Sequence, residues 1–507
     1  MFGFVCAGIF STLQMLAQVK LPAVIADNMV LQQKTKVALW GWAKPGEAVT
    51  VKPGWTTTSI KTTADKDGKW LLYVKTTKAG GPYNIVFEGS DRVEVKNVLL
   101  GEVWLSSGQS NMEFFMEKVE KSGSYTGEIH AATEIPLANY PTIRMIDIEN
   151  KVAAEPQKDT KGIWMICSPE TVGKYSAVAY YFARRIQKET GFPVGIINST
   201  WGGTPAESWT RKDVLESDTV LSPILRRYEK EVADYPQASE AYKLANAKWK
   251  ADSTTPKPAA PKEPIGPNSN KSPYKLYNGM IAPIVPYTFK GVIWYQGENN
   301  AERAYQYRTL FPAMIQNWRT DFNNAKLPFY FVQISPHRSQ NPEIRDAQLY
   351  VYRHVANTGI AITSDNGDEK DIHPRNKLLV AERLALWPLH DLYGQKKIVY
   401  SSPLYKSMKV DGTKIRIRFD MFGSTGLVAK DGDLKEFTIA GSDGQFVPAR
   451  ASIEGNTIVV WSDDIKYPTA VRFAWNYVPK ANLFNQEGLP VSPFRTDNWT
   501  VVTQYKR

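Results

Sequence analysis

The spacing of apolar and polar positions changes twice along this chain of 507 residues. From Val19 to about Leu100, short apolar segments alternate with polar positions and are cut by Pro, Gly, Asp and Lys: TKVALWGWA, AVTVKPGW, GKWLLYVKT and YNIVFEG. That alternation predicts an all-β region with sandwich character. Beyond it, apolar strands alternate with amphipathic helices at intervals suited to βαβ crossovers. Strands are predicted at 102–105, 194–198, 291–295, 329–334 and 360–364, and five such strands with intervening helices make a doubly wound parallel sheet. Val178, Tyr181, Phe182 and Ile186 share one helical face between a capping Ser176 and a terminating Gly191. Further helices are predicted at 304–322, 344–356 and 376–387, the last ending at Pro388.

A charged helical stretch over 221–252 leads into TTPKPAAPKEPIGPNSNKSP, whose six prolines forbid regular structure and mark an exposed insertion or linker. After about Lys396 the strand-like segments return as KIRIRF, GLVAK, EFTIAG, NTIVVW and AVRFAW, a second β region expected to pack with the first as one accessory unit. The chain thus divides into an N-terminal β domain at 19–98, an α/β domain at 99–395 with the insertion at about 221–273, and a C-terminal β region at 396–507. Residues 2–19 carry no charge, and the apolar run from Phe2 to Phe10 gives way to small and polar residues up to Ala17. This pattern predicts a secretory signal over 1–18 and an exported bacterial protein, periplasmic, secreted or held at the cell surface. The competing expectation is a buried first strand. No later stretch is long and apolar enough to span a bilayer.

Charge and cysteine usage narrow the chemistry. Lys and Arg number 62 against 51 Asp and Glu, but this excess of +11 has no long basic block, which argues against a nucleic-acid partner. Cys6 and Cys167 make no disulfide framework, and no Cys/His cluster has metal-site spacing. Only five histidines are present, so an imidazole base has few candidates.

The first predicted sheet strand runs into Ser106-Ser107-Gly108-Gln109-Ser110-Asn111-Met112, at the strand end where open α/β sheets place ligands. Ser110 is a candidate nucleophile, although Met112 stands where a nucleophile elbow has glycine, and the competing reading is a plain turn. A serine nucleophile needs an imidazole oriented by a carboxylate. Asp371-Ile372-His373-Pro374, after the last predicted sheet strand, is the one such pair, because His354 and His390 fall within predicted helices and His130 and His337 lack an adjacent acid. Two further loops offer donors for a developing oxyanion: 198–204 with Gly202 and Gly203, and 294–299 with Gln296 and Asn299.

In order, GQSNM at 108–112, GGT at 202–204, WYQGENN at 294–300 and DIHPRNK at 371–377 resemble the blocks of SGNH-type hydrolases, more narrowly the sialate O-acetylesterase group of carbohydrate esterases. LPAVIADNMVLQQ at 21–33 resembles that group's opening β domain, so the likeness runs over most of the chain. The resemblance implies a flavodoxin-like three-layer αβα hydrolase domain flanked by sandwich-like β regions, with no cofactor and no metal. It implies hydrolysis of acetyl esters on sugars, foremost 9-O-acetylated sialates, through an acetyl-enzyme. Carried over, Ser110 is the nucleophile, His373 the base and Asp371 its orienting acid, with the oxyanion hole drawn from Ser110, Gly202, Gly203 and either Gln296, which the QGE motif favours, or Asn299. The superfamily spaces its acid three residues before the histidine, where this chain has Lys370, so Asp365 and Asp368 stand as substitutes for Asp371. Gln109, Asn111 and Glu298, within these blocks, are assigned to the substrate.

Trp201, Trp209, Trp294 and Tyr295 flank the motifs with faces suited to sugar rings, or with ordinary packing. Arg375 and Lys377 are placed to meet a sialate carboxylate, or to cap the next helix. The expected partner is an O-acetylated glycan or free acetylated sugar. Acetylated xylan or another hemicellulose is the rival substrate, and a noncatalytic glycan-binding protein the rival of another class.

Overall fold

The computed structural model describes residues 19–507 apart from 121, 122, 124, 255 and 257, and the signal expected at 1–18 lies outside the described residues. Its spine is strand β1, Arg92–Gly108, which runs unbroken through residues 98 and 99. The first half of β1 pairs antiparallel with Gly80–Glu88 and parallel with Val30–Gln32; the second half pairs parallel with β4, Val194–Thr200, and β5, Gly291–Tyr295. Strand β2, Tyr140–Asp147, lies beyond β4 with the antiparallel β3, Trp164–Cys167, at its edge; β6, Phe329–Val332, and β7, Thr358–Ala361, lie beyond β5. The order across the sheet is β7-β6-β5-β1-β4-β2-β3. Every residue of β4 and β5 is buried, as expected of parallel strands covered on both faces.

All five expected sheet strands are present, and two more, β2 and β3, were not expected. Arg144 and Asp147 interrupt the apolar run of β2 and hide its strand character. Arg144 is nevertheless buried, because its guanidinium donates to the carbonyls of Asn28, at 2.9 Å, and Asn97.

The helices are α1, Ala177–Thr190; α2, Ser222–Ala251; α3, Ala304–Asp321; α4, Pro342–His354; and α5, Lys377–Asp391. Helix α1 is capped as its sequence predicts: Ser176 Oγ accepts the Ala179 N–H at 3.1 Å, and Gly191 adopts φ +69°. Helix α5 runs past Pro388 to Asp391, because a proline in the last turn forfeits only its own N–H bond and the buried Trp387 and Leu389 hold that turn down. Adjacent strand residues point to opposite faces, so Tyr330, against Trp387 of α5, and Phe329, against Phe311 and Trp318 of α3, mark the two covered faces.

The two β regions do not pack as one unit, contrary to expectation. The N-terminal region shares its core with the central sheet through β1. Buried Glu102 on β1 accepts from Gln33 at 2.7 Å, Gln32 at 3.3 Å and Tyr393 at 2.9 Å, which accounts for the polar Gln-Gln pair closing an apolar segment. The C-terminal region has a separate core around Ile415, Ile417, Val460, Val471 and Phe473, and it docks on α4, where Glu343 accepts the N–H groups of Val502 and Thr503 at 2.9 Å. Among the described residues no helix is long and apolar enough to cross a membrane.

Candidate active site

The strand order reverses beside β1, so the carboxyl ends of β4, β1 and β5 enclose a crevice of the kind in which open α/β sheets hold ligands. Gly108 closes β1 with φ +138°, and a Cβ there would lie 2.2 Å from the Tyr295 carbonyl oxygen, so only glycine lets β1 and β5 approach this closely. The Gln109 N–H then bonds the same carbonyl at 3.0 Å, and the chain turns into a single helical turn, Ser110–Glu113. Buried Met112 anchors this turn, its carbonyl accepting Ser176 Oγ at 2.6 Å. Ser110 is thereby held at the floor of a cavity of about 630 Å³.

His373 reaches the same cavity from the loop after β7. Its Nε2 lies 2.8 Å from Ser110 Oγ, and its other nitrogen, Nδ1, is 3.5 Å from Asp371 Oδ1. That carboxylate oxygen is nearer the His373 backbone N–H, at 2.8 Å, and the Asp371 side chain is 42% exposed, so the acid fixes the loop at least as firmly as the ring. The two substitutes are engaged elsewhere: Asp365 grips Arg383 through bonds of 2.6 and 2.7 Å, and Asp368 accepts the Lys370 and Asp371 N–H groups at 2.7 and 3.0 Å. Burial, reinforced by the charge of Lys377, pushes the His373 imidazole down to about 4, so it is a neutral acceptor over most of the pH range.

Asn111 joins the serine turn to the histidine loop. Its Nδ2 donates to Glu298 Oε1 at 2.6 Å and to the Ile372 carbonyl at 3.0 Å, while its Oδ1 accepts from Lys377 Nζ at 2.5 Å. Lys377 is fully buried, neither capping a helix in solvent nor reaching toward a ligand, and burial lowers its ammonium to about 7. Arg375 is likewise turned away, its Nε donating to the Gly127 carbonyl at 2.9 Å.

The donor loops separate clearly. Gln296 is fully buried and spends its amide N–H groups on Asn300 Oδ1, at 2.6 Å, and the Thr204 carbonyl, at 3.3 Å, which removes it from the cavity. Asn299 does line the cavity, its Nδ2 donating to the Gly203 carbonyl and its N–H to Gln109 Oε1 at 3.3 Å. Gly202 and Gly203 line it too, and a Cβ on Gly202 would sit 3.3 Å from that of Ser110. Of the aromatics, Trp201 borders the cavity, whereas Trp209, Trp294 and Tyr295 are core residues, Trp294 stacked on Phe311 at 6.0 Å. Glu298 borders the cavity as well, its carboxyl raised by burial.

Four polar cavity residues were not singled out from the sequence: Glu113, Tyr125, Lys271 and Gln340. Glu113 was within reach, since it lies one helical turn after Ser110. The other three come from loops whose return to the site no local pattern announces.

Comparison with known proteins finds relatives among the carbohydrate esterases. Residues 267–383 match the family described as "Carbohydrate esterase, sialic acid-specific acetylesterase". A sialate O-acetylesterase from Mus musculus is 30% identical over 429 residues, 76% of each chain, and that from Homo sapiens is 28% identical over 520 residues, 93% of this chain and 91% of the other. The solved structure of a carbohydrate acetylesterase from Xanthomonas citri is 33% identical, with a TM-score of 0.80 over 95% of this chain and 100% of that one. By sequence and by fold, this chain belongs to the sialic acid-specific acetylesterase family of carbohydrate esterases.

Proposed function

We propose that the chain hydrolyses acetyl esters on sugars through an acetyl-enzyme formed on Ser110. The observation that carries this reading is the 2.8 Å contact between Ser110 Oγ and His373 Nε2 in a cavity wide enough for a sugar ring. Ser110 Oγ bonds the acetyl carbon as His373 Nε2 takes its proton. The tetrahedral intermediate then collapses, the ester C–O bond breaks, and His373 returns the proton to the departing sugar oxygen. Water repeats the sequence on acetyl-Ser110, releasing acetate and restoring the serine. Asp371 orients the imidazole, and Asn299 with the Ser110 and Gly202 N–H groups meets the oxyanion. The strand order β4-β1-β5-β6-β7, with helices on both faces, supports a flavodoxin-like three-layer core.

O-acetylated sialate is the preferred substrate on the strength of the family. Lys271, in the cavity wall, is the cation placed to meet its carboxylate. A neutral acetylated glycan is favoured instead by one observation: neither Arg375 nor Lys377 turns toward the cavity. The covalent step is tested by acid-quenching the enzyme during turnover and mapping peptides by mass spectrometry. One acetyl group on the Ser110 peptide is expected, and steady turnover with acetyl absent from Ser110 in every quench contradicts the reading.

A further inference from the structure

The Gly202 N–H, expected to meet the substrate's carbonyl oxygen, already has an acceptor. It donates to Glu113 Oε2 at 2.6 Å, and Tyr125 Oη donates to the same oxygen at 2.5 Å. Glu113 belongs to the helical turn that begins at Ser110, so its carboxyl is tied to the nucleophile through three residues of backbone. The contact is close on every side: a Cβ on Gly202 would meet Tyr125 Oη at 2.6 Å, Glu113 Oε2 at 3.0 Å and Ser110 Cβ at 3.3 Å. An ester entering to be attacked by Ser110 therefore brings its carbonyl oxygen to an N–H that a carboxyl oxygen holds.

We propose that Glu113 is a positioning residue that, with Tyr125, keeps the Gly202 N–H aimed into the cavity and yields it to the ester carbonyl oxygen as the acyl group enters. The inference rests on the acetyl-enzyme reading above. Two donors converge on Oε2. The charge on Glu113 sets how readily the exchange occurs. An N–H bond to a carboxylate is roughly twice as strong as one to a neutral acceptor, and an anion beside the developing oxyanion opposes it. The neutral acid is the form that yields the donor.

The surroundings shift the carboxyl toward that form. Burial raises the Glu113 carboxyl more than its bonds from Tyr125, Gly202 and Asn150 lower it. Asp147, at the end of β2, Glu117 and Lys174 are the other ionisable groups that border a neighbouring cavity of about 510 Å³ with Glu113, and the His373 ring lies across Tyr125 at 6.1 Å. Ionisation of Glu113 then appears as a descending limb in the pH profile of kcat, distinct from the rising limb that belongs to His373.

The test is the pH profile of 4-nitrophenyl acetate hydrolysis, which needs the oxyanion donors but no sugar contacts. E113Q keeps an acceptor for both donors and cannot ionise. We expect kcat to fall less than about tenfold with the descending limb abolished, whereas E113A loses about 100-fold in kcat with little change in KM. Y125F removes one bond that favours the anion, so its descending limb moves to higher pH. Superimposable profiles for the wild type and E113Q, or an E113A variant as active as the wild type, overturn the proposal. Undiminished turnover by Ser110→Ala, measured alongside, instead overturns the acetyl-enzyme reading on which the proposal rests.

Discussion

The turn that carries Ser110 and the loop that carries His373 meet at one hydrogen bond but are held in different ways. Ser110 follows directly on β1, the most deeply paired strand of the sheet, and its neighbours Gly108, Asn111 and Met112 are buried. His373 stands 12 residues past the end of β7, on a loop fixed by point contacts: Asp365 on Arg383, Asp368 on two backbone N–H groups, Arg375 on Gly127 and Asn111 on Ile372. The sheet holds Ser110, the proposed nucleophile, whereas side-chain bonds place His373, the proposed base. The Ser110 position is thus protected by the whole core, and the His373 position depends on a few residues that can be removed one at a time.

That contrast ranks the expected losses. His373→Ala removes the base itself and is expected to lower kcat by about 10⁴-fold or more, with Ser110→Ala adding little on top because the two act as a unit; steady-state assay of the single and double variants checks this. Asn299→Ala withdraws the proposed oxyanion donor while leaving both sides in place, and is expected to lower kcat by about 10²–10³-fold with an unchanged melting temperature. Gln296→Ala separates the two amides: its bonds are internal, so it is expected to reduce stability, read from a urea midpoint, rather than kcat at saturating substrate.

Asp371→Asn acts on the loop side alone. A buried triad acid is worth about 10⁴-fold, but Asp371 is partly exposed and 3.5 Å from Nδ1, so a loss of about tenfold is expected. The smallest effect is on pH dependence. His373 must be neutral to accept the serine proton, and its ionisation is lowered to about 4, so kcat/KM should rise with pH through that value and then level. Lys377 helps hold the imidazole down, so Lys377→Met should move this rising limb to higher pH by less than about one unit. A limb near the ordinary histidine value in the wild type would mean that the base is more open to solvent than its surroundings indicate.

The same contrast explains what could be read from the chain. Ser110, Gly202 and His373 were legible because each sits in a short motif at a strand end, and the five expected strands because their apolar runs are nearly unbroken. Strand β2 escaped because the buried Arg144 and the half-buried Asp147 are held by bonds to distant backbone and to Asn198, which no local pattern records. Trp294 resembled a sugar platform in sequence and proved a core residue, since which face of β5 meets α3 is decided by the sheet and not by the motif. Lys377 and Gln296 were misjudged for a related reason: polar side chains beside a motif were expected to face the ligand, yet both satisfy buried partners beneath it. Glu113 was within reach, because the shift from strand to helix brings residues three apart onto one side of the turn.

The most direct test of the account is release of acetate from O-acetylated sialic acid and from acetylated xylan by the wild type and its Ser110→Ala variant. The account predicts release from the sialate that falls by about 10⁴-fold or more in the variant, with folding unchanged by circular dichroism. Equal release by the two proteins would contradict the role of Ser110, and binding of either glycan without any release would identify a binding protein in place of an esterase mechanism.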